Sequence, residues 1–247
     1  MSPLFQKELE IGLKGLEIEL TEEQKKSLYR YYLMVIEKNK VMNLTAITEE
    51  AEFVQKHIID SLAIVNAGEG VRDILQSGDI DVIDVGTGAG LPGIVMKIAW
   101  PKLRLVLFDS LQKRLRFLDE VVRALSLGEV KTLHGRAEDI GHDRRYREQF
   151  DLVVSRAVAN LSTLAEYCLP LTKPYGLFIP YKSAEIVDEL NAARYPIKLL
   201  GGELCAEESY QLPETEIART ILLIEKIKHT PYEFPRKAGV PAKDPLH

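Results

Sequence analysis

Residues 81–93 read D-V-I-D-V-G-T-G-A-G-L-P-G, an apolar run with one acid that ends in closely spaced glycines. No other stretch of the chain restricts the fold as much. Glycines directly after a strand let the backbone turn and pass close to a ligand, because no Cβ blocks the approach. Two parses compete. Counted from Gly88, the string Gly88-x-Gly90-x-x-Gly93 is a literal G-x-G-x-x-G, the dinucleotide fingerprint. Counted from Gly86, it is G-x-G-x-G after a strand carrying Asp84, which suggests S-adenosylmethionine instead.

The rest of the chain bears on that choice. Residues 22–40 place Leu28, Tyr31, Tyr32, Val35 and Ile36 at helical spacing, with Thr21, Glu23 and Gln24 as a plausible N-cap. A second helix is expected from Thr48-Glu49-Glu50 onward, and the glycine-rich, polar residues 66–79 read as a boundary. Beyond them the pattern alternates. Strands are expected at Asp81–Val85, Leu103–Phe108, Val130–Leu133, Phe150–Val154, Gly176–Pro180, Glu203–Gln211 and Ala218–Ile227. Helical patterns lie between the early ones, at 93–99, 111–126, 161–172 and 183–194. Alternation of this kind means a mostly parallel sheet with helices on both faces. Only a polar turn separates the last two strands, so they form an antiparallel hairpin. The expected fold is α/β, a Rossmann-like class I S-adenosylmethionine-dependent methyltransferase with a mostly parallel seven-stranded sheet that ends in a hairpin. Its expected parts are an N-terminal helical extension (1–78), the methyltransferase domain (79–228) and an extended tail rich in proline and basic residues (229–247). Few dehydrogenases close their sheet with such a hairpin, so the second parse is favoured.

Asp84 is unexpected in a strand buried on both faces, and is expected to contact the ligand's ammonium directly or through water. Asp109, at the end of the second strand, is positioned to accept hydrogen bonds from ribose hydroxyls. Both cofactor classes use such an acid, though it excludes a preference for NADP. Gly135-Arg136-Ala137-Glu138-Asp139 follows the third strand, where an adenine edge would lie. Asp84, Gly86, Gly88, Gly90, Asp109, Ala137 and Glu138 thus mark three successive strand ends.

Composition sets limits rather than identity. The chain has 247 residues, 46% hydrophobic and 28% charged, with a net charge of −5. That balance disfavours a surface that grips nucleic acid everywhere, but local basic patches remain. Lys102, Arg104, Lys113, Arg114 and Arg116 face a single acid, Asp109, within 102–116; Lys226, Lys228, Arg236, Lys237 and Lys243 face only Glu233 and Asp244 within 226–247. No leader or membrane-length apolar run appears, so a cytoplasmic protein without membrane attachment is expected. Cys168 and Cys205 share no motif and read as buried thiols, with no metal site.

The residues also narrow the methyl acceptor. Methyl transfer from a sulfonium is an in-line displacement, so alignment is the main task. Amino-group methylation is usually marked after the fourth strand by an Asn/Asp-Pro-Pro-aromatic loop, whereas this chain has Ser155-Arg156-Ala157-Val158-Ala159-Asn160. Cytosine C5 needs a cysteine nucleophile, and Cys168 falls within a helix. Guanine N7 fits, because its lone pair is free and no proton must leave. No catalytic base is therefore nominated.

Several motifs together resemble one family: N-L-T-A-I-T (43–48), K-H-I-I-D-S (56–61), D-V-G-T-G-A-G-L-P-G (84–93), D-S-L-x-K-R (109–114), G-R-A-E (135–138), S-R-A (155–157) and P-R-K-A-G-V-P-A-K-D-P-L (235–246). It is the bacterial 16S rRNA guanine-N7 methyltransferase G family, also known as glucose-inhibited division protein B. The resemblance implies a cofactor site at Gly86, Leu91, Asp109, Ala137, Glu138 and Arg156. It also implies a partner, the 16S rRNA or a precursor of the small ribosomal subunit, and a target guanine in the loop that helps form the decoding centre. Arg156 would stand where cofactor meets substrate; the alternative is an ion pair to Asp84 or Glu138 that only holds the loop. His57 and Asp60 either brace the glycine loop or contact a ligand. Lys113, Arg114, Arg116, Lys182, Arg236, Lys237 and Lys243 are the expected RNA contacts, and a monomer is the expected state. The alternatives are a methyltransferase for another RNA or a small molecule, an RNA-binding protein with a dead cofactor site, and an NAD-binding oxidoreductase.

Overall fold

The computed structural model describes the backbone of residues 1–247 and every side chain except that of Glu69. Helices α1 (Pro3–Gly15) and α2 (Glu22–Met42) lead into a bent helical run. That run comprises α3 (Glu50–Phe53), a π-helical turn (Val54–Ile59), α4 (Asp60–Leu62) and a 3₁₀ turn (Ala63–Ala67), before α5 (Glu69–Ser77). The alternating part follows as β1 (Asp81–Val85), α6 (Gly93–Ala99), β2 (Arg104–Asp109), α7 (Gln112–Ala124), β3 (Val130–His134), α8 (Ala137–Ile140) and β4 (Phe150–Arg156). It closes with α9 (Leu161–Cys168), β5 (Thr172–Ser183), α10 (Val187–Leu199), β6 (Gly202–Gln211), β7 (Ala218–Lys226) and α11 (Val240–Lys243).

The strands form one seven-stranded sheet in the order β3-β2-β1-β4-β5-β7-β6. Pairs from β3 through β5 are parallel, and β7 runs antiparallel to both β5 and β6. The chain leaves β1 toward β2 on one side and returns to β4 on the other. A ligand crevice is therefore expected outside the carboxyl ends of these two strands. Strand β5 extends three residues past the expected Pro180, because Tyr181, Lys182 and Ser183 pair with Ile221, Thr220 and Arg219 of β7. That extension delays α10 until Val187.

Alternate side chains of each strand enter opposite cores. Val82, Leu105, Leu107, Leu152 and Val154 meet α6, α7 and the N-terminal helices, whereas Ile83, Phe108, Val153 and Phe178 meet α9 and α10. Phe5, Leu9, Leu28, Tyr31, Val35, Phe53 and Ile58 join the first of these cores. The N-terminal helices thus share a core with the sheet. The stretch read as a boundary contains α5, whose Val71 and Leu75 are buried on one face. Glycines on either side hide that short apolar period. The tail is ordered as well, with Phe234 and Pro241 buried. Cys168 is buried as expected, but Cys205 is exposed on β6, the edge strand of the sheet. Among the described residues no helix is long and apolar enough to cross a membrane.

Two contacts tie α2 to the end of α6 and to the glycine loop. Thr21 and Gln24 form a capping box, and the Gln24 amide also donates to the carbonyls of Ile98 and Ala99 at 2.9 Å each. The Tyr31 hydroxyl, fully buried, donates to the Ala89 carbonyl at 2.9 Å. Tyr31→Phe should leave that carbonyl unpaired and lower stability by about 1–3 kcal/mol, read as a drop in the urea midpoint at unchanged slope.

Candidate active site

The loop after β1 is built on one carboxylate. Gly86, Gly88 and Gly90 adopt φ of 73°, 59° and 104°, conformations that disfavour a side chain. The amides of Gly86 and Thr87 donate to the Phe108 carbonyl, fastening the loop to the end of β2. Beneath it, Asp84 Oδ2 accepts from the Thr87 hydroxyl at 2.6 Å and from the Gly93 amide at 2.9 Å. A Cβ on Gly93 would lie 2.8 Å from that same oxygen. The last glycine of the string therefore lets α6 press its first turn onto Asp84, which accounts for Gly93 without a pyrophosphate. Asp84 itself is fully buried: Oδ2 braces the loop from within, and Oδ1 has no hydrogen-bond partner among the described residues. Burial pushes its pKa up to about 6, against the opposing pull of the Thr87 and Gly93 bonds and of Arg156.

Two cavities open along the carboxyl ends of the strands and meet at Gly86, Arg114 and Ala157. The first, about 740 Å³, is lined by Phe108, Asp109, Ala137, Glu138, Val158 and Tyr167. Asp109 Oδ1 accepts from the Leu111 amide, and Oδ2 accepts from the Gly88 amide at 3.0 Å and from Arg114 at 3.3 Å. The second cavity, about 810 Å³, is lined by Gly88, Leu91, His57, Asp60, Arg156 and Arg219 among others. Seven of the nine expected cofactor residues line this trough; Asp84 and Gly90 lie behind it.

The trough suits S-adenosylmethionine on the chemistry of its donors. Carboxylates Asp109 and Glu138 stand beside apolar walls at one end, where ribose hydroxyls and an adenine amino group need acceptors. At the junction, a Cβ on Gly86 would meet Val158 Cγ2 at 2.4 Å, so the close approach there requires glycine.

An ion cluster forms the far wall. Arg156 donates to Asp60 Oδ2 at 2.7 Å, and Arg219 donates to Asp60 Oδ1 at 3.2 Å. Arg156 thus pairs with Asp60 rather than with Asp84 or Glu138. The π-helical turn ahead of Asp60 also carries His57. One ring nitrogen of His57 contacts the Lys56 carbonyl at 3.1 Å and the other the Thr45 hydroxyl at 2.7 Å, the arrangement of a neutral ring donating from Nδ1. Burial, together with the Arg156 charge, lowers its pKa to about 4. Lys182 donates to Glu189 at 2.6 Å and to the Ala159 carbonyl at 2.9 Å. Arg219 and Glu189 were invisible in the sequence: Asp60 and Arg219 are 159 positions apart, with no spacing to connect them.

The expected RNA contacts divide into two groups. Lys113, Arg116, Lys237 and Lys243 are exposed, and Arg114 lines both cavities. Arg236 is different. Its backbone amide and guanidinium hold both oxygens of Glu166, which is fully buried. The tail arginine is engaged inside the fold, because a buried carboxylate needs a partner.

Known proteins agree with this geometry. The family model of GidB, rRNA small subunit methyltransferase G, matches residues 24–217. The chain belongs to that family. A ribosomal RNA small subunit methyltransferase G of Alkaliphilus oremlandii is 48% identical over 238 residues, covering 96% of this chain and 97% of its own. One of Lachnoclostridium phytofermentans is 46% identical over 235 residues, covering 95% of each. The fold resembles that of the antibiotic-resistance methyltransferase Kmr, with a TM-score of 0.50 and 16% identity over 65% of this chain and 94% of the other. The chain is accordingly an S-adenosylmethionine-dependent rRNA methyltransferase of the Rossmann-like class.

The raised pKa of Asp84 gives a pH signature. The unfolded chain releases this proton near 3.8 and the folded chain near 6, so the stability it contributes is lost as pH rises between them. Asp84→Asn keeps an oxygen for Thr87 and Gly93 without the buried charge. Its melting temperature relative to the wild type should climb as pH rises from 4 to above 6, by about 2–4 °C per kcal/mol in a chain of this size.

Proposed function

We propose that the enzyme methylates N7 of one guanine in the decoding-region loop of 16S rRNA, with Asp109 and Glu138 holding the adenosine end of S-adenosylmethionine. Bound there, the cofactor supplies an electrophilic methyl group on a sulfonium. The chain's residues then have two tasks, to align the acceptor with that group and to leave its lone pair free. The observation that carries this reading is the engagement of Asp60, Glu189 and His57 beside the junction. Asp60 is held by Arg156 and Arg219, Glu189 by Lys182, and His57 by Thr45 and Lys56. Such a wall suits an acceptor that needs no deprotonation, and guanine N7 is one.

N7 lies on the major-groove edge of guanine, which in A-form RNA is too deep and narrow for side chains. The target must therefore be unstacked or in a loop, and the second cavity would receive it beside Arg156. Exposed Lys113 and Arg116 on α7 and Lys237 and Lys243 on the tail flank the trough from two sides and would meet phosphates. Lys182, tied to Glu189, would face RNA only after releasing that partner. An enzyme of this kind works in the cytoplasm, as a monomer, on the small subunit or its precursor.

The chemical test is methylation of small subunits lacking native modifications, followed by borohydride and aniline cleavage, which is selective for N7-methylguanine. A single cut in the decoding-region loop is expected, and methyl incorporation without a cut would refute the N7 assignment. In a second test, alanine at Lys113, Arg116, Lys237 and Lys243 should weaken RNA binding. It should also reduce the slope of log K against log salt by about 0.7 for each phosphate that is no longer neutralised, with cofactor affinity unchanged.

A further inference from the structure

We propose that the C-terminal segment is a wall of the cofactor pocket, with Arg236 as its positioning residue. This rests on the reading that the cavity beside Asp109 and Glu138 takes the adenosine moiety. The matched family model ends at residue 217, well before the segment begins. The segment nevertheless returns across the sheet to that cavity. There the Gly239 amide donates to Glu138 Oε1 at 2.7 Å, and Gly239 and Ala242 line the cavity.

The attachment is directed at α8, the element that begins with Ala137 and Glu138. Arg147, just beyond α8, donates to the carbonyls of Gly141, Thr230 and Phe234 at 2.7–2.8 Å. His142 contacts the Pro235 carbonyl at 2.6 Å. The next residue, Arg236, holds Glu166 of α9 through both carboxylate oxygens, and the Thr163 hydroxyl of α9 donates to the Pro241 carbonyl at 2.8 Å. The turn between these two anchors on α9 carries Gly239, at φ 83°, a conformation that aims its amide at Glu138. A segment that served only to cover apolar surface has no need to place an N–H on an acid of the pocket. That N–H anchors Oε1 of Glu138. Among the described residues Oε2 has no hydrogen-bond partner and remains as an acceptor for an amino group. A buried carboxylate left without its partner is costly, so the position of Glu166 restricts where Arg236 can sit. The Glu166–Arg236 pair therefore sets where Gly239 falls, and through it the shape of the adenine end.

The test compares full-length wild type with Arg236→Gln, Gly239→Ala and Asp109→Ala. S-adenosylmethionine affinity is measured by calorimetry, and KM for cofactor and for unmodified small subunits by initial rates. Arg236→Gln and Gly239→Ala should each weaken cofactor binding by about tenfold, the scale of one charge-assisted hydrogen bond. The cofactor KM should rise alike, while kcat and the KM for small subunits stay within about twofold. A purely structural role would instead lower the active fraction, and so apparent kcat, at unchanged cofactor KM. A Cβ on Gly239 meets nothing within 4 Å, so that variant changes backbone preference without a clash and carries the test if Arg236→Gln folds poorly. Wild-type cofactor affinity in both tail variants, with binding abolished in Asp109→Ala, would overturn the proposal and leave the pocket reading intact. Weaker binding of small subunits alone would overturn it in favour of an RNA role for Arg236. Wild-type affinity in Asp109→Ala as well would refute the placement of adenosine itself, and the proposal with it.

Discussion

Everything at the site depends on the Asp84 carboxylate being covered. It lies on the face of β1 that looks toward α6 and the N-terminal helices, and one of its oxygens gathers the Thr87 hydroxyl and the first amide of α6. That single acceptor fixes both ends of the glycine loop, so Gly86 and Gly88 present backbone to the trough rather than side chains. Burying it is unfavourable, as its raised pKa records, and the surrounding structure supplies the compensation. Tyr31 holds the loop from behind through Ala89, and Phe108 holds it from β2. Glycine lets the turn adopt positive φ at Gly86, Gly88 and Gly90, and the cores on either side hold it in place.

The helical extension forms part of the second cavity's wall as well as part of the fold. Asp60 comes from the extension, Arg156 from β4 and Arg219 from β7, yet the three meet as one charged wall of the second cavity. The π-helical turn before Asp60 is what sets His57 and Asp60 at this edge, and such turns occur often at functional sites. Fixed charges of this kind require no reorganisation when a substrate arrives, which is how preorganised groups assist a transfer. The neutral His57 buttresses the wall edge-on against Phe53, with ring centroids 4.9 Å apart.

Much of this was legible in the sequence, for definite reasons. The buried parallel strands are continuous apolar runs, and the hairpin's turn is short and polar, so the sheet and its order of elements could be read directly. The glycine string and the acids at successive strand ends located most of the trough's lining, because backbone approach and ribose recognition each demand a residue type. The features that the sequence hides have a common cause. Asp84 stands on β1 as expected, but its bonds to Thr87 and to the Gly93 amide leave no mark in the sequence. The pair of Arg236 with Glu166 spans 70 positions and ends inside an otherwise ordinary helix. The Asp60–Arg219 pair was hidden in the same way, and α5 was hidden by flanking glycines. Long-range polar pairing leaves no local period, and that is where sequence reasoning ended.

The most direct test of the account is amide hydrogen exchange across the whole chain, with and without S-adenosylmethionine. The account requires added protection at 86–93, at 109–111, at 135–139 and in the tail around Gly239, with little change around the separate cavity formed by Arg72, Leu75 and Trp100. Protection centred on that second location, or spread evenly over the sheet, would contradict the placement of the cofactor along the carboxyl ends of β1, β2 and β3.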